Sequence, residues 1–262
     1  MSYTFISGAT GGIGKAFSFE CAKNNKNLFL TGRSNDKLLN LKEELLALNP
    51  NVSIEVYACD LTSENQRKEM FAFSDSKGIT FNAIINVAGV DVQKAFTEYT
   101  TEKVQFQIRV NCEATIVLTH ELLKRFTGGG EIITISSMSG VTPMPYFALY
   151  SASKNMLTSF FLSLRKELKG RKIKVTTVLP GGVYTRPDIC LDIKGQGIWG
   201  KLSAKSPEFV AKKSLKVVKK NKAKYIPGFF NKFLNFIMKL VPLSLKMNFI
   251  ANRWKKQTKD AF

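Results

Sequence analysis

The sequence has very little histidine and no clustered cysteine. Its single histidine, His120, lies in a helix-like stretch where a structural role is favoured, which argues against a hydrolase with a Ser-His-Asp triad. The four cysteines contain no Cys-x-x-Cys pair and are far apart in the chain: Cys21, Cys59, Cys112 and Cys190. This spacing argues against a metal site and a disulfide framework, and it is typical of a protein from a reducing cytoplasm.

The chain also lacks a linker rich in Gly, Ser or Pro, an internal repeat and a recognisable signal peptide. Its first residues lead directly into a strand-like segment. A length of 262 residues is sufficient for one large α/β domain with a complete core. We therefore expect a single domain over residues 1–262 and a cytoplasmic location.

Acidic residues are scarce near the C-terminus. Residues 201–262 contain 16 Lys and Arg but only Glu208 and Asp260 as acids, so they carry +14 of the formal net charge of +19. No recognisable nucleic-acid-binding module accompanies these basic residues, and nucleic-acid binding is not expected.

Residues 226–262 form a predicted helical extension that is both basic and apolar. Apolar residues at helical spacing form one stripe, and Lys232, Asn235 and Lys239 lie off it. Pro242 interrupts the pattern before a second apolar piece, and the lysines make a transmembrane span unlikely to form. Two interpretations remain: helices that pack over a substrate cleft or subunit interface, or an interfacial helix resting on anionic lipid at the inner face of a membrane.

Short apolar runs alternate with helical patterns along the rest of the chain. The predicted strands are Tyr3–Ser7, Asn27–Thr31, Val52–Cys59, Ala83–Val87, Ile132–Ser136 and Val175–Leu179, and the main predicted helices are Gly12–Asn24, Leu38–Leu48, Ser63–Ser76, Thr101–Phe126 and Tyr150–Leu168. Near-continuous Ile and Val runs indicate a parallel sheet covered on both faces. The expected fold is a three-layer, doubly wound α/β structure of the Rossmann type, with ligands at the carboxyl ends of the strands.

A glycine-rich turn follows the first predicted strand. Its spacing, Gly8-x-x-x-Gly12-x-Gly14, differs from the Gly-x-Gly-x-x-Gly dinucleotide fingerprint but allows the same close approach of the backbone to a pyrophosphate. A tight strand-to-helix turn without a ligand would use the same residues. The position after the first strand of an α/β chain favours the cofactor.

The end of the second strand indicates which cofactor is preferred. Many dinucleotide sites place an acidic residue there for the ribose 2′-hydroxyl, whereas this chain has Gly32 and Arg33. A guanidinium suits a phosphate dianion, so NADP(H) is expected over NAD(H), with Lys37 as a helper or a solvated helix residue. Asp60, at the end of the third strand, is expected to receive the adenine amino group or to cap a turn.

Tyr150 and Lys154 are four residues apart on a predicted helix and therefore share one face. A phenol ordinarily has a pKa near 10. A neighbouring ammonium favours the phenolate and would lower that pKa. The pair is therefore a candidate acid/base for moving a proton to or from an alcohol oxygen, although such a pair also occurs by chance.

Residues 3–190 resemble the short-chain dehydrogenase/reductase family, because several of its motifs occur here in the family's order. The glycine run matches the family's cofactor loop, Tyr150-x-x-x-Lys154 its active-site motif, and Ser137, 13 residues earlier, its catalytic serine. The segment Asn86-Val87-Ala88-Gly89 resembles its Asn-Asn-Ala-Gly segment, with Val87 as a departure. The resemblance implies cofactor contacts from the following residues: Gly8, Thr10, Gly12, Ile13, Gly14, Arg33, Asp60, Leu61, Asn86, Ala88, Gly89, Tyr150, Lys154, Pro180, Gly181, Val183 and Thr185.

The resemblance also implies catalytic roles. Tyr150 would exchange the proton with the substrate oxygen, and Lys154 would lower its pKa and hold the nicotinamide ribose. Ser137 would polarise the substrate oxygen, and Asn111 would position a water that links Lys154 to solvent. The family usually forms dimers or tetramers through its long central helices, here Thr101–Phe126 and Tyr150–Leu168.

The substrate end is expected to be apolar. Candidate determinants of substrate preference lie after Ser137 or in a glycine-containing loop over residues 186–220, which is also a candidate lid. They are Val141, Pro143, Met144, Pro145, Phe147, Pro187, Ile189, Leu191, Ile198 and Trp199. The sequence therefore predicts an NADP(H)-dependent oxidoreductase for a hydrophobic ketone or secondary alcohol, such as a hydroxysteroid or bile acid. The alternatives are a 3-oxoacyl reductase and a non-catalytic NADP-binding protein at a membrane surface.

Overall fold

The computed structural model describes residues 1–195 and 197–255, except for the side chain of Asp192. Gln196 of the predicted lid and residues 256–262 of the predicted extension lie outside this description. Within it, seven strands form one sheet in the spatial order β3-β2-β1-β4-β5-β6-β7, and all neighbouring strands are parallel. The strands are β1 (Ser2–Ser7), β2 (Asn27–Gly32), β3 (Ile54–Ala58), β4 (Thr80–Asn86), β5 (Phe126–Ile135), β6 (Ile173–Val178) and β7 (Lys224–Tyr225).

Helices connect and follow these strands. In the described part of the chain they are α1 (Gly12–Lys23), α2 (Asn35–Leu48), α3 (Glu64–Ser76), α4 (Thr101–Ile108), α5 (Ala114–Lys124), α6 (Ala148–Glu167), α7 (Pro187–Gly195), α8 (Gly197–Ser203), α9 (Pro207–Lys219), α10 (Phe229–Leu240) and α11 (Leu243–Trp254). Most of the predicted strands and main helices are found close to their expected positions.

The strand order places a crevice at the carboxyl ends of β1 and β4. The chain leaves β1 towards β2 and β3, and it then returns to the other side of β1 to form β4. In open α/β sheets, ligands bind where the strand order reverses in this way. The predicted doubly wound parallel sheet is therefore confirmed, and the site is expected at this crevice.

Alternating side chains of the strands form a hydrophobic core on each face of the sheet. Phe5 points to one face, where it stacks on Phe29 with ring centroids 5.8 Å apart and meets the edge of Phe81 at 6.0 Å. This core includes buried residues of α3, α5 and α6. Ile6 belongs to the opposite core, which includes buried residues of α1, α2 and α9. Two covered faces confirm the three layers.

Four parts of the chain differ from the sequence-based expectation. Strand β5 begins at Phe126, six residues before the predicted start at Ile132. The helix predicted over Thr101–Phe126 is interrupted by a π-helical segment, Arg109–Glu113. The predicted glycine-hinged loop after residue 186 instead contains the helices α7 and α8. The short strand β7 was not predicted, because two residues give no readable alternation. The single-domain organisation and the lid remain predictions.

Candidate active site

The turn after β1 has two positions that only glycine fits. Gly8 has a φ of +64°, which L side chains rarely adopt, and a Cβ there would lie 3.0 Å from the main chain of Ala88. A Cβ on Gly14 would overlap the carbonyl oxygen of Gly8. The turn therefore brings the N-terminus of α1 against the end of β4, and it leaves an uncovered backbone surface suited to a pyrophosphate.

Arg33 and Asp60 line the far end of the same cleft. Arg33 follows Gly32 at the end of β2, where it is exposed, and no hydrogen bond or ion pair joins it to another described residue. The Asp60 carboxylate accepts hydrogen bonds from the main chain and hydroxyl of Thr62, at 2.9 and 2.8 Å. Asp60 thus stabilises a local turn and still borders the cleft beside Leu61.

Asn86 has a different position from the one expected of a cofactor ligand. Its side chain is buried, does not line the cleft, and donates hydrogen bonds to the hydroxyls of Thr119 (3.0 Å) and Thr134 (3.2 Å). It therefore ties β4 to α5 and β5. The main-chain amides of Val87 and Ala88 instead donate to the hydroxyl of Ser7, at 3.1 and 3.3 Å.

Asn111 lies in the π-helical segment and is completely buried. Its Oδ1 accepts a hydrogen bond from the amide of Val90 at 2.8 Å, and its Nδ2 donates to the carbonyl of Val90 at 2.9 Å and to the hydroxyl of Ser153 at 3.1 Å. A Cβ built on Gly89 would lie 3.2 Å from Asn111 Oδ1 and 3.1 Å from Lys154 Nζ. Asn111 therefore fixes the Gly89–Val90 wall of the cleft directly beside the lysine.

Lys154 is buried on α6 and lines the cleft floor. Its Nζ donates to the carbonyl oxygen of Ile135 at 3.0 Å and lies 5.6 Å from the centre of the Tyr150 ring. Burial disfavours the ammonium and lowers the pKa of Lys154 to about 8, against the raising effect of nearby Cys112 and Asp91.

Ser137 lies beside Tyr150, close enough for its hydroxyl to act on the phenol. The pKa of Tyr150 is raised, mainly by its burial and further by the charge of Asp91, and the nearby Ser137 hydroxyl opposes this rise. The net direction of this pKa is thus opposite to the one that the sequence led us to expect, because desolvation of the phenol dominates. The lowering effect of Lys154 on Tyr150 remains a prediction. The expected proximity of Ser137, Tyr150 and Lys154 is observed, since all three line one cleft.

Asp91 is a residue of the site that sequence reasoning missed. It lines the cleft two residues after Gly89, and its charge acts on both Tyr150 and Lys154. Its position directly after the segment 86–89 is the one signal that would have marked it as a candidate.

The loop after β6 closes the cleft on its other side. Pro180, Gly181, Val183 and Thr185 line it as expected, and a Cβ on Gly12 would approach the Thr185 side chain to 2.8 Å. Behind Gly181 lies Asn231 of α10, which the sequence did not single out. Its buried amide donates to the carbonyls of Ser203 and Pro227, both at 2.8 Å.

The C-terminal extension forms a wall of the cleft. Its inward side chains line the cavity, which has a volume of about 1310 Å³: Phe230, Asn231, Leu234, Asn235, Met238, Phe249, Ile250, Arg253 and Trp254. Trp254 stacks on Phe147, with ring centroids 6.1 Å apart, and Phe147 stacks on Tyr150 at 4.5 Å. Packing over the cleft, the first of the two interpretations of this extension, therefore describes the inner side of α10 and α11.

The predicted substrate determinants divide into two groups. Val141, Met144, Phe147, Ile189, Leu191 and Trp199 line the cleft, whereas Pro143, Pro145, Pro187 and Ile198 do not. Arg253 is a cationic side chain among these mostly apolar walls. It is half-buried, and it forms no hydrogen bond or ion pair with another described residue.

Metal clusters and membrane-spanning helices are both absent from the described residues. Residues 1–195 and 197–255 contain no group of three or more His, Cys, Asp and Glu side chains arranged to hold a metal ion. No helix in the same ranges combines the length and the apolar character needed to cross a membrane.

A parallel, doubly wound sheet with a glycine turn at its crevice and a Ser-Tyr-Lys group beside it defines the class of dinucleotide-binding α/β oxidoreductases. The profile of the short chain dehydrogenase family matches residues 2–189. The chain therefore belongs to the short-chain dehydrogenase family.

Similar proteins cover several activities. The chain is 29% identical over 187 residues to the very-long-chain 3-oxoacyl-CoA reductase of Kluyveromyces lactis, a match that covers 68% of this chain and 54% of that protein. The chain thus spans about half the length of this curated relative. Its fold resembles that of a 7beta-hydroxysteroid dehydrogenase (TM-score 0.83, 23% identity, 95% and 96% of the two chains covered). It also resembles L-sorbose reductase from Gluconobacter frateurii, solved with NADPH and L-sorbose (TM-score 0.77, 24% identity, 87% and 95% covered).

Proposed function

We propose that this protein is an NADP(H)-dependent oxidoreductase that interconverts a ketone and a secondary alcohol on a hydrophobic substrate. The observation that carries the proposal is the convergence of Ser137, Tyr150 and Lys154 in one cleft that also contains the glycine turn at Gly8. The same cleft is thus lined by a proton donor, by a polar group for the reacting oxygen and by a turn that suits a nucleotide.

The glycine turn after β1 fits a dinucleotide. Gly8 and Gly14 let the turn pack closely against Ala88 and against itself, and the cleft is lined by Gly8, Thr10, Gly11, Gly12 and Ile13 at the N-terminus of α1, where a pyrophosphate would be stabilised. Arg33 supports NADP(H), because its guanidinium lines the cleft, forms no ion pair with a described residue, and suits a 2′-phosphate. The bound L-sorbose reductase cofactor is consistent with this choice. When bound, the nicotinamide supplies or accepts the hydride.

Tyr150 is proposed to donate its phenolic proton to the carbonyl oxygen in reduction and to accept the alcohol proton in oxidation. The raised pKa of the phenol keeps its proton in place before the reaction, so the transfer itself needs a neighbouring group that stabilises the phenolate. Ser137 is proposed to hydrogen-bond the same substrate oxygen, and its position beside Tyr150 in the cleft supports this role. Lys154, anchored by the carbonyl of Ile135, would hold the nicotinamide ribose and favour the phenolate after proton transfer.

Asn111 is proposed to position a water that links Lys154 to solvent. Support comes from its closeness to Lys154 across Gly89. Its amide is also bonded to both main-chain groups of Val90, so Asn111 holds the wall along which this water would lie. In this respect it acts through its neighbours and is a positioning residue.

The substrate is proposed to be a bulky hydrophobic ketone or alcohol with an acidic group. Apolar side chains from α7, α8, α10 and α11 wall the cleft and suit a steroid, bile acid or acyl chain. Arg253 supports the acidic group, since its guanidinium is half-buried, pairs with no residue in the described part of the chain, and would be stabilised by an anionic ligand.

Reduction of a 3-oxoacyl thioester is the second candidate activity. The similarity to the Kluyveromyces lactis reductase favours it. A non-catalytic NADP-binding protein is the third, and the complete set of Asn111, Ser137, Tyr150 and Lys154 weighs against it, because binding alone does not need these four residues.

The protein is also proposed to assemble as a homodimer or homotetramer through α4–α5 and α6, as is usual in its family. Sedimentation velocity of the full chain would test this assembly. A monomer at assay concentration would contradict it.

The test of the proposed activity is an absorbance screen with NADPH and NADP⁺ against bile acids, hydroxysteroids and 3-oxoacyl thioesters. At least one class should be turned over with NADPH or NADP⁺. Tyr150→Phe should lower kcat by at least about a hundredfold, because it removes the proton donor, while NADPH binding changes little. Equal turnover by wild type and Tyr150→Phe would remove Tyr150 from the mechanism.

A further inference from the structure

The outward face of α10 is apolar, although it faces solvent. Phe229, Phe233, Phe236 and Leu240 recur at intervals of three and four residues and therefore lie on one side of the helix. Their exposed fractions are 85%, 53%, 58% and 67%. Large apolar side chains are rarely this exposed as a contiguous group unless the surface binds a partner.

The opposite side of α10 is occupied by the cleft. Phe230, Leu234 and Met238, also spaced by four, line the cavity, and Asn231 fixes the helix to Ser203 and Pro227. The helix therefore cannot turn its exposed phenylalanines inward without losing the cleft wall and these hydrogen bonds. The exposed face is a fixed feature of the folded protein.

Neighbouring helices extend this surface. Trp199 of α8 contacts Phe230, with ring centroids 5.5 Å apart, and it is 56% exposed. Leu243 and Phe249 of α11 are likewise exposed. Leu191, Phe249 and Trp199 line the cleft as well, so this surface, called here the apolar plateau, surrounds part of the cleft entrance. It consists of the exposed apolar residues of α8, α10 and α11, together with Leu191.

Basic residues accompany the apolar plateau. Lys232 and Lys239 are exposed, lie seven residues apart, and therefore flank the phenylalanine face of α10 along one side. Residues 226–255 contain no acidic residue. The surface thus combines projecting aromatic side chains with flanking ammonium groups.

We infer that the apolar plateau docks on an anionic lipid surface, with its phenylalanines in the interface and its lysines at the headgroups. Such a combination of apolar face and flanking lysines is the composition that binds membranes peripherally. Docking would place the cleft entrance against the bilayer, where a hydrophobic substrate is most concentrated. The inference does not depend on the proposed activity.

The charge of this region argues for lipid over a second copy of the chain. Two copies that met through the plateau would bring Lys232 and Lys239 of one copy near those of the other, and like charges repel. Anionic headgroups instead attract these lysines.

The test is flotation of the full-length protein with vesicles, without cofactor or substrate. Vesicles of phosphatidylcholine alone are compared with vesicles that also contain phosphatidylglycerol. The main variant is Phe233→Ser/Phe236→Ser, and its control is Phe96→Ser, an exposed phenylalanine outside α10. The charge variant is Lys232→Gln/Lys239→Gln, and its control is Lys166→Gln/Lys169→Gln, exposed lysines near the amino edge of the sheet. Deletion of residues 226–262 is avoided because it would remove a cleft wall.

Wild type and both controls should float with the phosphatidylglycerol vesicles, and added salt should weaken their binding. The phenylalanine variant should bind at least about tenfold more weakly. The lysine variant should lose roughly fivefold per lysine. Wild type that stays unbound, or variants that bind like wild type, would overturn the inference. The inference would also be overturned if vesicles bound neither wild type nor Phe233→Ser/Phe236→Ser, and wild type self-associated whereas the variant did not. If the serine variant misfolds, the lysine variant and the salt dependence of wild type still decide the question.

Discussion

Trp254 and Phe147 stack with ring centroids 6.1 Å apart and an angle of 25° between their planes. Phe147 in turn stacks on Tyr150. The end of α11 is thereby joined through two rings to the proposed proton donor. The C-terminal extension is thus part of the substrate cleft, and changes in it should affect substrate binding.

Trp254→Ala should raise the KM for bulky hydrophobic substrates by up to about tenfold, because it removes an aromatic contact at the cleft wall. Trp254→Phe retains a ring and is the matched control. Steady-state kinetics on the substrate found in the screen would measure the effect. An unchanged KM in Trp254→Ala would show that α11 does not contact the bound substrate.

Arg33→Ala should weaken NADPH binding by about ten- to a hundredfold and leave NADH binding nearly unchanged, since hydrogen bonds to a charged phosphate are lost. Fluorescence titration with both cofactors would measure the two dissociation constants. Lys37→Ala would test whether Lys37 also contributes to NADPH binding. Equal losses for NADPH and NADH in Arg33→Ala would contradict the assignment of the 2′-phosphate to this residue.

Lys154→Met should change how stability depends on pH. The folded state lowers the pKa of Lys154 to about 8, so between pH 8 and 10 the unfolded chain binds more protons than the folded one. Stability from this group therefore rises with pH, by about 2 kcal/mol over that interval, and Lys154→Met should lack this rise. Above pH 10 the raised pKa of Tyr150 acts in the opposite direction.

Urea unfolding of both proteins at several pH values between 8 and 10 would give this difference. Only the pH slope is compared, because the substitution itself shifts the absolute stability. Parallel curves for the two proteins would contradict a depressed Lys154 pKa.

Arg253→Met should raise the KM for a substrate with a free carboxylate by about ten- to a hundredfold, with a much smaller effect on its methyl ester. Methionine keeps part of the apolar length of arginine and removes the charge. Kinetics on the acid and the ester would separate the charge effect from packing. Equal changes for both substrates would assign Arg253 a structural role.

Much of the fold was readable from the sequence because its signals are local. Runs such as Tyr3–Ser7 and Val175–Leu179 lie near observed strands, and Pro242 does separate two helices. The glycine spacing and the Tyr150–Lys154 interval also act over short distances. Local spacing of this kind is enough to predict that Gly8, Gly12, Tyr150 and Lys154 come together, and all four line one cleft.

The parts that sequence reasoning missed depend on tertiary contacts. The direction of the Tyr150 pKa depends on burial by the whole cleft, which no four-residue spacing can show. The inward turn of Asn86 depends on Thr119 and Thr134, which come from α5 and β5. The π-helical segment around Asn111 adds one residue to a turn, and apolar periodicity does not resolve that change.

The contact between Gly181 and Asn231 has a consequence for attempts to redesign substrate preference. A Cβ at Gly181 would lie 3.0 Å from Nδ2 and from Oδ1 of Asn231, and this Nδ2 also donates to the carbonyls of Ser203 and Pro227. The loop after β6 and the start of α10 are therefore fitted to each other across fifty residues of chain. A chimaera in which only the loop after β6 or only the start of α10 is replaced would lose this fit. Residues 181–231 should therefore be exchanged together when segments of related enzymes are introduced.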